Sequence, residues 1–233
     1  MKKNKMNILL VFMFCFAVFS SLQAAPEYMG LVVYKRGNCF LVKDKKSAPI
    51  YIDNLIPSDA TIEVQKGGSL SIQFKTGVLI RLEENTKVSV EELLEKTVRI
   101  RLQRGELGGR VQKKAGYNVL IHTPTSTASV RGTDFIVEAD SQKKETTVLV
   151  SEGSVDVSSK LNENEKVAVN AGNSLLMPES GKYILKIMEE FEKQKFEIFT
   201  EFEKVRKKNF DLIIQQKQKD RDLIEKQKSL LHQ

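Results

Sequence analysis

The sequence predicts an all-β fold, an antiparallel β-sandwich or β-roll domain, followed by a long C-terminal α-helix. Two observations carry this. From Tyr28 to Met177 apolar and polar residues alternate in short runs, broken by Gly or Asn about every ten residues, as many half-buried strands require. Beyond Pro178-Glu179-Ser180-Gly181 the chain has neither Gly nor Pro and carries apolar residues at heptad spacing, as a continuous amphipathic helix requires.

The first segment is read as a leader. Lys2, Lys3 and Lys5 precede an apolar core from Ile8 to Phe19, and small residues at Ala24 and Ala25 suit a cleavage site, so residues 1–25 read as a signal peptide. The core is shorter than the roughly 20 apolar residues of an ordinary membrane span. An uncleaved anchor is the alternative. Cys15 follows bulky Phe14 inside that core, which excludes a lipidation signal. Removal of the leader leaves Cys39 as the single cysteine, so no internal disulfide can form and stability must come from burial.

The β-domain is assigned to residues 26–178. Leu31-Val32-Val33-Tyr34 and Asn38-Cys39-Phe40-Leu41-Val42 flank Lys35-Arg36-Gly37 as a hairpin. Ala60 to Val64 and Ser69 to Phe74 alternate around Lys66-Gly67-Gly68, with Leu70, Ile72 and Phe74 on one face. Val78 to Leu82 leads through Glu84-Asn85-Thr86 to Lys87 to Glu91. Glu91-Glu92-Leu93-Leu94-Glu95 opens a short helix or forms a loop or strand edge. Val98, Ile100 and Leu102 face opposite to Arg99, Arg101 and Gln103, so one side of that strand is wet and the sheet is antiparallel. Gly108-Gly109 reads as a bulge or turn. Later strands include Val119-Leu120-Ile121-His122, Val148-Leu149-Val150, Val155-Asp156-Val157, Val167-Ala168-Val169 and Ser174 to Met177. Ser141 to Glu145 reads as a loop between strands, Ser151 to Ser154 as a tight hairpin turn, and Asn170 to Asn173 as a further turn.

The long helix is assigned to residues 182–231. Ile184, Met188, Phe191, Ile198, Phe202, Val205 and Leu212 form its stripe, with Phe196, Phe199, Phe210, Ile213 and Ile214 widening the apolar face. Such a stripe docks on the β body, pairs with another copy as a coiled coil, or binds a partner.

No pattern of residues points to catalysis. His122 has only the distant His232 for company and reads as an ordinary strand-end histidine. Ser126, Ser129 and Ser151 lack a Gly-x-Ser-x-Gly context, Gly108-Gly109 is not followed by a phosphate-loop Lys-Ser or Lys-Thr, and no cofactor is called for. Asp134, Glu138 and Asp140 share a strand face and could hold calcium, though a solvated face explains them better. The formal charge of +7, or +4 without the leader's three lysines, is too weak and too scattered for nucleic-acid binding.

One stretch is more specific. Thr123-Pro124-Thr125-Ser126-Thr127-Ala128-Ser129-Val130-Arg131-Gly132-Thr133-Asp134-Phe135-Ile136-Val137-Glu138 joins a turn to a β-rich run, and Thr146 to Val155 continues it through Gly153. Pro124 fixes its own φ and Gly132 allows a positive one. This run resembles the FecR protein family in its Thr-Pro, its Ala-x-Val-Arg-Gly-Thr and its apolar strand, and the resemblance extends from about Thr61 to Met177. It implies a compact sandwich-like domain and marks Thr123, Pro124, Ala128, Val130, Arg131, Gly132, Thr133, Phe135 and Gly153 as family-motif positions of structural character. Arg131 reads as a clamp that ties carbonyls or a carboxylate within the domain, or else as an exposed guanidinium that meets a carboxylate or a glycan. FecR-like regulators pass a signal from the cell envelope across the inner membrane to control a sigma factor. No cytoplasmic segment precedes the apolar stretch here, so the expectation is an exported, non-enzymatic protein of the periplasm or outer envelope. Its β-domain would bind an envelope protein or a cell-wall component, and its C-terminal helix would serve assembly or docking, including a homo-oligomer. A membrane-anchored signal relay and a carbohydrate or peptidoglycan binder are the alternatives; the absence of Trp weighs against glycan stacking.

Overall fold

The computed structural model describes residues 28–74, 78–94, 97–111, 116–197, 200 and 204. The expected signal peptide lies outside the described residues, as do Ile198, Phe202, Val205 and Leu212 and nearly all of the expected coiled coil. Among the described residues no helix is long and apolar enough to cross a membrane.

The described chain is dominated by strands, as the alternation requires. They are β1 (Tyr28–Arg36), β2 (Cys39–Lys43), β3 (Lys46–Pro49), β4 (Leu55–Pro57), β5 (Thr61–Val64), β6 (Ser69–Phe74), β7 (Leu79–Leu82), β8 (Lys87–Leu94), β9 (Thr97–Arg110), β10 (Asn118–His122), β11 (Ser126–Val130), β12 (Asp134–Asp140), β13 (Glu145–Glu152), β14 (Ser154–Ser159), β15 (Asn162–Asn170), β16 (Asn173–Pro178) and β17 (Ile184–Ile187). They build two sheets over one core. The front sheet runs β4-β1-β6-β7-β9-β12-β13-β16-β17. The back sheet runs β3-β2-β5-β8-β9-β10-β11-β14-β15. Val32, Ile72, Ile80, Val137 and Val148 from the front meet Ile62, Val88, Ile100, Val119 and Val157 from the back in a single cluster.

β9 belongs to both sheets. Its first half pairs with β8 and β10, and from Gly105 onward it pairs with β12 and β7. The β9–β10 pair is parallel, which corrects the purely antiparallel expectation.

Several expected hairpins are corners where the chain leaves one sheet for the other. β1 does not pair with β2, nor β5 with β6, nor β13 with β14: each pair straddles Gly37, Gly67-Gly68 or Gly153, and its strands find partners in opposite sheets. Alternation with a Gly-rich break is common to hairpins and corners, so the sequence pattern alone does not separate them. The turn at 141–144 is a true hairpin, since Asp140 pairs with Glu145. Glu91 to Leu94 completes strand β8 and is not helical, and Gly108-Gly109 lies inside β9 without a bulge.

The corners share one construction. Asn85 (φ 59°) precedes buried Thr86, whose Oγ1 accepts the Glu106 N–H at 3.0 Å just past Gly105 (φ 91°) and lies 3.4 Å from Glu84 O. Gly132 (φ 62°) precedes buried Thr133, whose Oγ1 lies 2.9 Å from Arg131 O and 3.0 Å from Ser154 O, just past Gly153 (φ 84°). At the first corner Cys39 takes the hydroxyl's place, its Sγ 3.6 Å from Arg36 O and 3.8 Å from Ser69 O. Burial pushes that thiol's pKa up, in keeping with an inert, hydrogen-bonded core group.

The C-terminal region departs from the expected helix at its start. Ile184-Leu185-Lys186-Ile187 forms β17, paired along β16, and the Met188 N–H continues the ladder to Gly172 O at 2.9 Å. β-branched Ile184 and Ile187 suit a strand, and the edge of β16 offers backbone partners that a local reading of the sequence cannot see. The β body thus continues past residue 178, and the helix begins at residue 190. Met188 and Phe196 pack on Ile136 and Leu149, on the outer face of the front sheet.

Candidate functional site

The Thr123–Ser126 turn links β10 to β11 and is built from hydroxyls. Thr123 Oγ1 accepts the Ser126 N–H at 3.0 Å, and the Thr146 hydroxyl on β13 lies 2.7 Å from both Thr123 Oγ1 and Thr125 Oγ1. Thr125 Oγ1 also donates to Met177 O at 3.0 Å. All three threonines are buried, so the network fastens a back-sheet hairpin to front strands β13 and β16. Replacing Thr146 with Val removes one hydrogen bond from each of two buried hydroxyls, which keep their bonds to the Ser126 amide and to Met177 O. The expected loss is about 1–3 kcal/mol, read as a melting temperature lower by roughly 2–10 °C.

The other family-motif residues are mostly scaffold. Ala128 and Val130 are fully buried on β11, Phe135 is buried on β12, and Gly132, Thr133 and Gly153 make the corner described above. A Cβ on Gly153 would sit 2.8 Å from Gly132 O, so the two crossings are pressed together. Pro124 is exposed at the turn. Arg131 is the exception among the core positions. Its side chain is exposed, and its guanidinium makes no hydrogen bond or ion pair among the described residues, so the expected internal clamp is replaced by the Thr133 hydroxyl. The corner holds Arg131 out toward solvent with its fork of donors facing water.

Along the same run of corners lies an open groove of about 540 Å³ lined by Arg36, Gly68, Glu83, Glu84, Asn85, Gly105, Glu106 and Glu138. Its walls are fixed. Glu84 accepts the Gly67 N–H at 2.6 Å, Arg81 pairs with Glu83, and Lys195 from the helix bridges Glu106 at 2.6 Å and Glu138 at 3.1 Å. Burial pushes the Glu106 pKa up, and the Lys195 ammonium pulls against it without prevailing. Burial is the largest influence on Lys195 and opposes its charge, but the hydrogen bonds and charges of Glu106 and Glu138 together outweigh it and leave that pKa raised. The arrangement presents oxygen acceptors beside the Arg36 and Lys195 cations, suiting a charged polar segment over an apolar ligand.

A raised carboxyl pKa means that the folded chain holds this proton more tightly than the unfolded one. Glu106 therefore favours folding below its ordinary value near 4.5, and that contribution is lost as pH rises through its raised value. Lys195→Met removes the compensating charge. The pair keeps about a quarter of its surface in water, so the expected cost near pH 7 is about 1–2 kcal/mol. Near pH 4 the cost shrinks, because protonated Glu106 no longer needs a counter-charge; denaturant unfolding at the two pH values measures the difference.

The remaining candidates have local roles. His122 Nδ1 lies 3.0 Å from Thr127 Oγ1, and burial pushes the imidazole below its ordinary pKa. Asp134 is held bidentately by Arg110 Nε and Nη2, Glu138 by Lys195, and Asp140 accepts the Gln142 and Lys143 amides. The Lys143 amide, aided by Gln142, holds the Asp140 carboxyl below its usual range. The three carboxylates thus have separate partners, and no metal-ligating cluster occurs among the described residues. Of the expected helix stripe, Ile184 is an exposed strand residue, Met188 is buried against the sheet, and Phe191 is exposed on the helix. Glu106, Glu138 and Lys195 were not foreseen as a group. Asn85-Thr86 and Gly105 mark the corner that carries Glu106, but nothing in the sequence links it to Glu138 or Lys195.

Comparison with known proteins gives two findings. Residues 60–156 match the family model described as FecR protein. Two crystal structures of a candidate anti-sigma factor from Parabacteroides distasonis ATCC 8503 are similar to this chain at 18% identity and a TM-score of 0.49. The match covers 55% of this chain and 60% of that one, so the chain spans less than two thirds of the length of that relative. No curated protein matches the chain.

Proposed function

Because residues 60–156 match the family model described as FecR protein, we propose that the chain is a non-enzymatic exported protein of the cell envelope that binds an envelope protein or a wall component through its β-domain. The observation that carries this reading is Arg131. The motif around it is buried scaffold, while Arg131 alone of the Val-Arg-Gly-Thr run is turned to solvent on a rigid corner. A guanidinium so placed has its donors free to take a carboxylate in a bidentate contact. The C-terminal helix would serve assembly or docking.

Photo-crosslinking in cells tests the binding role. A photoreactive residue at position 131 is expected to give a discrete adduct that the same residue at exposed position 143, at the far end of β12, does not give. A protein adduct identifies an envelope partner, and a glycan adduct identifies the wall. No adduct at 131 sinks the reading. The apolar stretch from Ile8 to Phe19 supports a second reading, a membrane-anchored signal relay. Fractionation with N-terminal sequencing separates the two, since a start near Ala25 or Pro26 removes the tether and an intact leader in the membrane fraction keeps it.

A further inference from the structure

We infer that β17 is a self-pairing edge and that two copies of this chain join through it, extending the front sheet across a two-fold axis. The sheet edges among the described residues differ in kind. β3 carries Lys46 and Pro49, β4 ends in Pro57, and β15 presents Glu163, Glu165 and Lys166, all devices that discourage strand addition. β17 has no proline, and its single charged residue, Lys186, is held by Glu189 and Glu192. Ile184, Leu185 and Ile187 are 58, 46 and 76% exposed, next to half-exposed Tyr183.

The hydrogen-bonding phase of β17 is set by the Met188 N–H, which points to Gly172 O on β16. By alternation, Ile184 and Lys186 also turn their backbone groups toward β16, and Tyr183, Leu185 and Ile187 turn theirs outward. These same three residues share a side-chain face. Leu185 is registered with Leu175 of the core, so that face continues the interior of the sandwich beyond its last covered strand.

A second copy fits this edge. A two-fold axis normal to the sheet pairs only residues of like parity, because partners must share a face. Centring the axis on Leu185 sets Leu185 opposite Leu185 and Tyr183 opposite Ile187, a continuous apolar ladder in which each pair exchanges outward N–H and C=O groups. On the other face Ile184 meets the Lys186 stem. Moving the axis to Lys186 instead sets two ammonium groups opposite each other, which is unfavourable. The ends match as well: Lys182 precedes the strand and Glu189 and Glu190 follow it, so antiparallel pairing brings the basic end of one copy beside the acidic end of the other. A short ladder of this kind gives a weak dimer that dissociates on dilution.

Sedimentation velocity on the full chain over a wide concentration range tests this. A reversible monomer–dimer equilibrium is expected. Ile187→Lys and Leu185→Pro should each weaken it by about tenfold or more, the latter because it removes an outward N–H that β16 does not use. Circular dichroism and melting temperature confirm that both variants fold. Register is read by oxidation: partners in a hydrogen-bonded antiparallel pair have Cα atoms about 5.5 Å apart, within disulfide reach, so Leu185→Cys should cross-link and Lys186→Cys should not. A strict monomer, a dimer indifferent to both edge variants, or an edge that takes only an unrelated extended peptide would each overturn the inference.

Discussion

Gly105→Val is expected to cost the fold about 4 kcal/mol or more, enough to lower the melting temperature by over 10 °C or to leave the chain insoluble. Two costs coincide at this position. The backbone sits at φ 91°, a region that a β-branched residue does not adopt without strain, and a Cβ built there lies 2.5 Å from Thr86 Cα and 2.8 Å from Thr86 Cβ. Thr86 cannot retreat, because it is fully buried and its hydroxyl holds the Glu106 amide. Gly172→Ala is the control that separates conformation from crowding. Gly172 has φ 83°, but a methyl added there would meet nothing within 4 Å, so the expected loss is about 1–2 kcal/mol. Denaturant unfolding of the two variants measures both; equal losses would mean that crowding at Gly105 contributes nothing.

Phe135→Ala is expected to cost about 3–5 kcal/mol. Phe135 is among the largest fully buried side chains, and its ring lies over Gly109 of the neighbouring strand, its register partner. A Cβ on Gly109 would fall 2.6 Å from Phe135 Cε1, so position 109 carries no side chain because the ring occupies that space. The two positions should therefore couple. Gly109→Ala alone forces the ring away and destabilises by about 1–3 kcal/mol, whereas added to Phe135→Leu it should cost measurably less than it does alone. Strict additivity in that double-mutant cycle would show that ring and glycine do not share the space.

The strands were legible because burial on one face imposes period two, and Val98, Ile100 and Leu102 are buried where Arg99, Arg101 and Gln103 are not. What the pattern could not show is which sheet a strand joins. Gly37, Gly67-Gly68 and Gly153 mark chain reversals equally well whether the next strand returns beside the last or crosses the core, and only long-range pairing decides. Ile184 to Ile187 shows the same limit. Heptad spacing placed Ile184 on a helix, and the open edge of β16 drew it into a strand. Alternation made the inward side chains Ala128, Val130 and Phe135 legible, whereas Arg131 reads from the sequence only as a choice between a clamp and an exposed contact. The Lys195–Glu106–Glu138 bridge spans strands and helix far apart in sequence, so no local signal announces it.

The strand that serves both sheets has a consequence for how the molecule opens. Because β9 contributes its first half to one layer and its second half to the other, separating the layers must bend the strand at Gly105 or unzip one of its halves. Amide protons of Ile100, Leu102 and Leu107 at its centre should then exchange with solvent only through global unfolding, while those of β3 and β17 at the rims exchange by local fraying. A pulling force applied across the two layers would load β9 together with the crossings at Gly37, Gly67-Gly68 and Gly153.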